Sequence, residues 1–189
     1  MKNFLKIADL DTLPLLLAIK RNPDLWKADT YLRDYPQGPF GEVESIMLRF
    51  PTKRVFELEA DLERYKDSLE QHFCVDQPAY KALPDARPLV MWLASRVGAE
   101  MIGRCFINKV KPGGVIYPHV DTKAHTDFYS RHHICLESND RSMLRAGDER
   151  VNMRPGEVWW FDNSQEHEVV NEGATDRMHL IVDLRCVQP

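Results

Sequence analysis

The chain has 189 residues, 43% hydrophobic and 29% charged, with a formal net charge of −4. That is enough chain for one domain whose core needs neither disulfides nor a structural metal. The slightly acidic balance, with no Lys/Arg block, argues against nucleic-acid binding through a broad basic surface, and four scattered cysteines (Cys74, Cys105, Cys135, Cys186) with no CxxC pair argue against a zinc ribbon and for reduced, mostly buried thiols.

In chain order, the first apolar run, Leu13 to Ile19, contains Pro14 and is far too short to span a bilayer. Met1-Lys2-Asn3-Phe4 does not open a signal peptide, so a cytoplasmic location with no membrane partner is expected. Asp9 or Asp11 can cap a helix through Leu13, Leu16, Leu17 and Ile19. A loop rich in Pro and Gly follows at Tyr35 to Gly41, then a strand-like segment at Glu44 to Phe50. Leu58, Leu62, Tyr65 and Leu69 recur at three- and four-residue steps and predict a helix over Glu59 to Phe73; a third helix is expected from about Arg87 to Arg96.

The texture changes near residue 98. Eight short strand-like runs follow: Cys105–Val110, Val115–Val120, His132–Glu137, Ser142–Arg145, Val151–Met153, Val158–Phe161, His167–Asn171 and Met178–Leu184. Pro112-Gly113-Gly114, Ala146-Gly147-Asp148, Pro155-Gly156 and Glu172-Gly173 punctuate them. The expected fold is mainly β with N-terminal helices, a cupin-like jelly roll. Residues 1–98 should pack on the barrel's outer face without forming an independent domain, and 99–189 should form the catalytic core.

His119 and Asp121 lie two apart at a strand end, so both side chains leave the same face. With His167 from a later strand they make two imidazoles and one carboxylate, the facial donor set of non-haem Fe(II) oxygenases. Arg177 heads the last, otherwise apolar strand; a guanidinium there can grip a carboxylate bidentately, or form an ion pair with Glu168 or Glu172. Arg131 and His133 share a strand face, and an interior Arg131 demands an anionic partner. His133 and His179 could line the pocket or be hydrogen-bonded core histidines. His125 and His132 read as loop or outward residues, and Glu166 and Glu168 as solvated neighbours of a ligand.

Trp159-Trp160-Phe161-Asp162-Asn163-Ser164-Gln165-Glu166-His167-Glu168-Val169, then Asp176-Arg177 and Leu180-Ile181-Val182-Asp183, resemble the aspartyl/asparaginyl β-hydroxylase family, as does Lys111 to His119. The resemblance covers about residues 100 to 186. It implies a double-stranded β-helix, Fe(II) with 2-oxoglutarate as cosubstrate, and hydroxylation of an unactivated C–H bond using O2. It also implies His119 and His167 as iron ligands, Arg177 and Arg131 as contacts of 2-oxoglutarate, and Asn108 where the family can have a Ser near the cosubstrate. Asp121 departs from the animal enzyme that names the family, which lacks this carboxylate and carries a helical-repeat region for a protein substrate.

The substrate class stays open among an amino acid, a peptide and a small metabolite. The loops Tyr35–Glu44 and Thr122–Ser130 are where substrate contacts are expected. Two rival readings remain at this point: a cupin-type metal protein that does not use 2-oxoglutarate, and a non-catalytic binding module on the same barrel.

Overall fold

A computed structural model of the chain describes residues 1–34, 38–52, 57–66 and 68–186. Among the described residues, eleven strands are arranged as two antiparallel sheets, a mainly β jelly roll as expected. The larger has the order β1 (Phe4–Asp9), β9 (Glu157–Phe161), β6 (Ser130–Glu137), β11 (Arg177–Cys186), β4 (Ala99–Val110), β2 (Val43–Pro51), β3 (Cys74–Asp76). The smaller has the order β5 (Val115–His119), β10 (His167–Asn171), β7 (Ser142–Ala146), β8 (Glu149–Val151).

Two-residue alternation assigns each face of the larger sheet to a different job. On β11, Met178, Leu180, Val182 and Leu184 join Ile134 and Leu136 of β6 and Cys105 and Ile107 of β4 in one apolar cluster. Helices α1 (Leu13–Arg21), α5 (Pro78–Ala82) and α6 (Ala86–Arg96) cover that face through Leu15, Ile19, Tyr80, Leu89, Val90 and Leu93. The opposite residues, Arg177, His179, Ile181 and Asp183 with Arg131 and His133, face the smaller sheet and are buried. Arg177, His179, Asp183, Arg131 and His133 therefore share one face of the larger sheet, with the apolar layer packed behind it.

Helix α6 shows how the local sequence builds this layer. Ala86, Leu89, Val90, Leu93 and Ala94 fall on one stripe. Pro88 lies in the first turn, where a missing N–H breaks no helical hydrogen bond. The helix ends at Val97, and Gly98 takes φ +66°, the left-handed conformation that glycine allows after a helix end.

Several expectations are corrected. The first 98 residues carry most of the helices, and β2 falls at the strand expected over Glu44 to Phe50, but β1 and β3 were not expected and extend the large sheet on both sides. The helix expected over Glu59 to Phe73 ends as α4 (Glu59–Lys66); Leu69–His72 is a separate 3-10 turn whose His72 ring stacks 3.9 Å from Phe128. Two four-residue helices, α2 (Leu25–Ala28) and α3 (Tyr31–Asp34), were not expected. Tyr35, Pro36 and Gln37 of the Pro/Gly loop lie outside the described residues. The first helix follows the expectation: the Asp11 carboxylate accepts the Leu13 N–H at 3.0 Å. All four cysteines are free thiols, Cys105 and Cys135 buried. Among the described residues, no helix is long and apolar enough to cross a membrane.

Candidate active site

Strands β5 and β10 pair so that His119 and His167 lie directly opposite each other, with a bulge just beyond. Their rings are 4.2 Å apart, centroid to centroid. Asp121 follows two residues after His119, its Oδ1 3.9 Å from His119 Nε2. Ligand atoms of His119, Asp121 and His167 all lie within 4.8 Å of one another.

The hydrogen bonds around these residues leave their metal-facing atoms free. Nδ1 of His119 is 2.7 Å from the Tyr117 carbonyl, and Nδ1 of His167 is 2.9 Å from that of Gln165. A carbonyl only accepts, so each Nδ1 carries the proton and each Nε2 keeps its lone pair. Backbone carbonyls thus orient both rings. Nε2 of His119 is buried and has no partner. Oδ2 of Asp121 accepts from Arg131 at 2.6 Å and from Asn163 at 2.7 Å, which leaves Oδ1 turned to the histidines. Burial lowers the His119 pKa and pushes that of His167 down to about 4, so both are neutral at pH 7. Burial opposes the charge on Asp121, yet Arg131 and then Asn163 hold its pKa below the ordinary carboxylate value. An orphaned buried nitrogen beside a second imidazole and a fixed carboxylate fits a divalent first-row metal.

A second set lies deeper on the large sheet. Arg177 is 2% exposed and pairs with no carboxylate among the described residues. Its Nη2 is 3.1 Å from His179 Nδ1, while its Nη1 is buried without a partner. Burial lowers its pKa to about 10, which still leaves it charged at pH 7. Glu168 and Glu172, the carboxylates that could have paired with it, are taken by Arg145 and Arg141. His133 Nδ1 lies 3.2 Å from His179 Nδ1, and burial followed by Arg177 keeps both rings neutral. Because Arg177 can only donate, His179 accepts at Nδ1 and carries its proton on Nε2, a buried donor with no partner. Asn108 sits opposite His179 across the β4–β11 ladder. Its Oδ1 accepts from Ser45 at 2.7 Å, and its amide nitrogen is buried and unpartnered.

Arg131 occupies a different position from Arg177. Its Nε and Nη2 fork onto Asp183 at 2.8 and 3.0 Å, and its Nη1 reaches Asp121. His125 adds a contact to the same Asp183 oxygen at 3.1 Å. The anionic partner that an interior Arg131 demanded is thus supplied by the protein itself. His125 is buried rather than a surface loop residue, because the short helix α7 (Lys123–Thr126) turns it inward to Asp183. His132 does face away from the site but is buried at 2% exposure beneath neighbouring elements. Asp183 and Asn163 were missed as site residues. Asp183 was within reach of the alternation that picks out Arg177 and His179; Asn163 sits in a turn, where no periodicity marks it.

A narrow cavity of about 20 Å³ lies between the sheets, lined by His119, His167, Asn108, Arg131 and His133 with Phe106, Leu144, Phe161 and Ile181. Arg177 and His179 lie just behind this lining, joined to it through His133. At Phe40 and His119 the cavity meets an open groove of about 560 Å³. Of the two loops expected to meet substrate, Gly38, Pro39 and Phe40 line the groove, as does Thr122. Phe128 instead stacks on His72, and Lys123 pairs with Asp127.

A family model described as Aspartyl/Asparaginyl beta-hydroxylase matches residues 69–186. L-proline cis-3-hydroxylase 1 of Streptomyces sp is 34% identical over 73 residues, 37% of this chain and 25% of that protein. L-proline cis-4-hydroxylase of Rhizobium meliloti (strain 1021) is 26% identical over 109 residues, 58% of this chain and 38% of that protein. The matches therefore span well under two thirds of these relatives. Among solved structures, a viral collagen prolyl hydroxylase from Paramecium Bursaria Chlorella virus-1, in complex with 2OG, superposes with a TM-score of 0.52 at 10% identity, over 98% of this chain and 97% of that one. At that identity the likeness shows the shared double-stranded β-helix.

Proposed function

The chain belongs to the aspartyl/asparaginyl β-hydroxylase family, and on that footing we propose that it is an Fe(II) oxygenase that hydroxylates an unactivated C–H bond while 2-oxoglutarate is decarboxylated to succinate. The observation that carries this reading is an iron-type donor set beside a buried guanidinium, Arg177, that has no carboxylate partner among the described residues. A cupin-type metal protein or a binding module has no use for such a group. The site of a dicarboxylate cosubstrate does.

His119 and His167 would hold the iron through Nε2, and Asp121 through Oδ1. The bound iron and 2-oxoglutarate supply the oxidation itself. The protein's share is orientation and exclusion of water. Arg177 Nη1, His179 Nε2–H and the Asn108 amide are three buried donors without partners, and they suit the far carboxylate of 2-oxoglutarate. His133 positions His179. Arg131 acts through Asp121, since its donors already serve protein carboxylates. Phe161, Leu144, Val169 and Ile116 keep the cavity apolar around the iron ligands.

The curated relatives hydroxylate L-proline by name, so a free amino acid is one candidate substrate. The test of the reaction is succinate release from 2-oxoglutarate by the Fe(II)-loaded protein in air. We expect release by the wild type and none from His167→Ala, which should also fail to retain iron. Absence of succinate from the iron-loaded wild type, with or without candidate substrates, would sink the proposal.

A further inference from the structure

One cation beside the metal residues is not used by the account above. On β4 the interior face carries Arg104, Phe106 and Asn108 in steps of two. Asn108 lies at the closed end opposite His179, whereas Arg104 lines the open groove that also contains His119 and Asp121. An arginine thus stands at each end of the site. Arg177 is buried, and Arg104 is partly exposed.

The Arg104 guanidinium carbon lies 5.3 Å from the centre of the Phe50 ring, and Tyr31 meets that ring edge-on at 5.9 Å. No carboxylate among the described residues pairs with Arg104, which rests on the Phe50 ring. A guanidinium resting on an aromatic face keeps its N–H edge free to fork onto a carboxylate. The rest of the described groove is mainly apolar or aromatic: Tyr31, Leu32, Phe40, Phe50, Leu62 and Tyr65. Its only acidic lining residue among those described is Asp121, which serves the metal. At about 560 Å³ the groove lies within the roughly 300–1,000 Å³ that holds drug-sized ligands, more than a small amino acid such as L-proline fills.

Resting on the oxygenase reading, we propose that the substrate is an amphiphilic monocarboxylate bulkier than L-proline, anchored by Arg104. Its anionic group forks onto the Arg104 guanidinium, and its apolar body lies across Phe50 and Tyr31. The portion reaching past Phe40 and Val120 presents its C–H bond to the metal held by His119, Asp121 and His167. Arg104 and Arg177 then divide the work: the buried one selects the cosubstrate and the outer one selects the substrate.

The test is calorimetric binding under nitrogen to protein loaded with Fe(II) and 2-oxoglutarate. The probes are 4-phenylbutyrate, its uncharged analogue 4-phenylbutyramide, and L-proline. The wild type should prefer the acid to the amide by about tenfold or more, the scale of one charge-assisted interaction, and should bind L-proline more weakly than the acid. Arg104→Gln should erase the preference for the acid, and Arg104→Lys should keep part of it. Equal binding of acid and amide by the wild type, a preference that survives Arg104→Gln, or L-proline binding as tight as that of 4-phenylbutyrate would each overturn the proposal. The heat of 2-oxoglutarate binding to the wild type, measured first, reports separately on the oxygenase reading.

Discussion

Arg177 concentrates the cost of this site in one residue. A charged guanidinium at 2% exposure, hydrogen-bonded to a neutral imidazole and to no carboxylate among the described residues, destabilises the free protein. Replacing it with an apolar side chain of similar length removes that cost. Arg177→Met should therefore raise the thermal midpoint of the metal-loaded protein without 2-oxoglutarate, by the equivalent of about 1–3 kcal/mol. The same variant should lose the stabilisation that millimolar 2-oxoglutarate gives the wild type. Differential scanning fluorimetry with and without the cosubstrate reads both effects, and a lower midpoint for Arg177→Met would contradict the account. At this scale much was legible in the sequence, because strand alternation is local: His119 with Asp121, and Arg131 with His133, each share a face by spacing alone. What Arg131 binds was not legible. Its partner Asp183 is 52 residues away and reaches it only because β6 and β11 are neighbours in the sheet.

Among the elements, most strands after residue 98 and the helices α1 and α6 follow strong periodic patterns and lie close to where the sequence puts them, but β8 is Glu149–Val151 rather than Val151–Met153 and β4 starts at Ala99 rather than Cys105. The misreadings share a cause. Phe4–Asp9 is an edge strand with one buried residue, so its alternation is diluted by Lys6 and Asp9, and pairing with β9 decides its conformation. Glu59–Lys66 carries a helical stripe, but the chain then breaks into a 3-10 turn that buries His72 against Phe128 and Tyr129. Tertiary contact overrides the period there. Helix α6 offers a control on the separation of layers. Leu93 is completely buried against the outer face of the sheet, opposite the face that carries the site. Leu93→Ala should cost about 2–5 kcal/mol in urea unfolding and leave iron affinity within about twofold. A large loss of iron affinity with little loss of stability would show that the helical layer and the site are not separated in this way.

For the molecule as a whole, the buried histidines set an acid limit. Burial lowers the pKa of His132 and of His167 from 6.5 to about 4. The unfolded chain therefore takes up these protons first as pH falls. Stability is complete above about pH 6.5 and drains away between 6.5 and 4, by up to about 1.4 kcal/mol per pH unit for each histidine. Asp183 does not share this window: burial opposes its charge, but Arg131 and His125 hold its pKa far below the usual carboxylate range. Urea midpoints of metal-free protein should fall steadily from pH 7 to pH 4.5, and a flat profile would contradict the neutral, buried state of these rings.

The whole fold also brings the two halves of the site together, the histidines of the small sheet and the arginine of the large one. Their joint use is the central claim. An anaerobic titration of the Fe(II) protein with 2-oxoglutarate tests it most directly. The wild type should develop a weak metal-to-ligand charge-transfer band that saturates at one equivalent per chain, and Arg177→Met should bind iron yet need far more 2-oxoglutarate to develop the band. No band in the iron-loaded wild type, or an unchanged titration in Arg177→Met, would contradict the account.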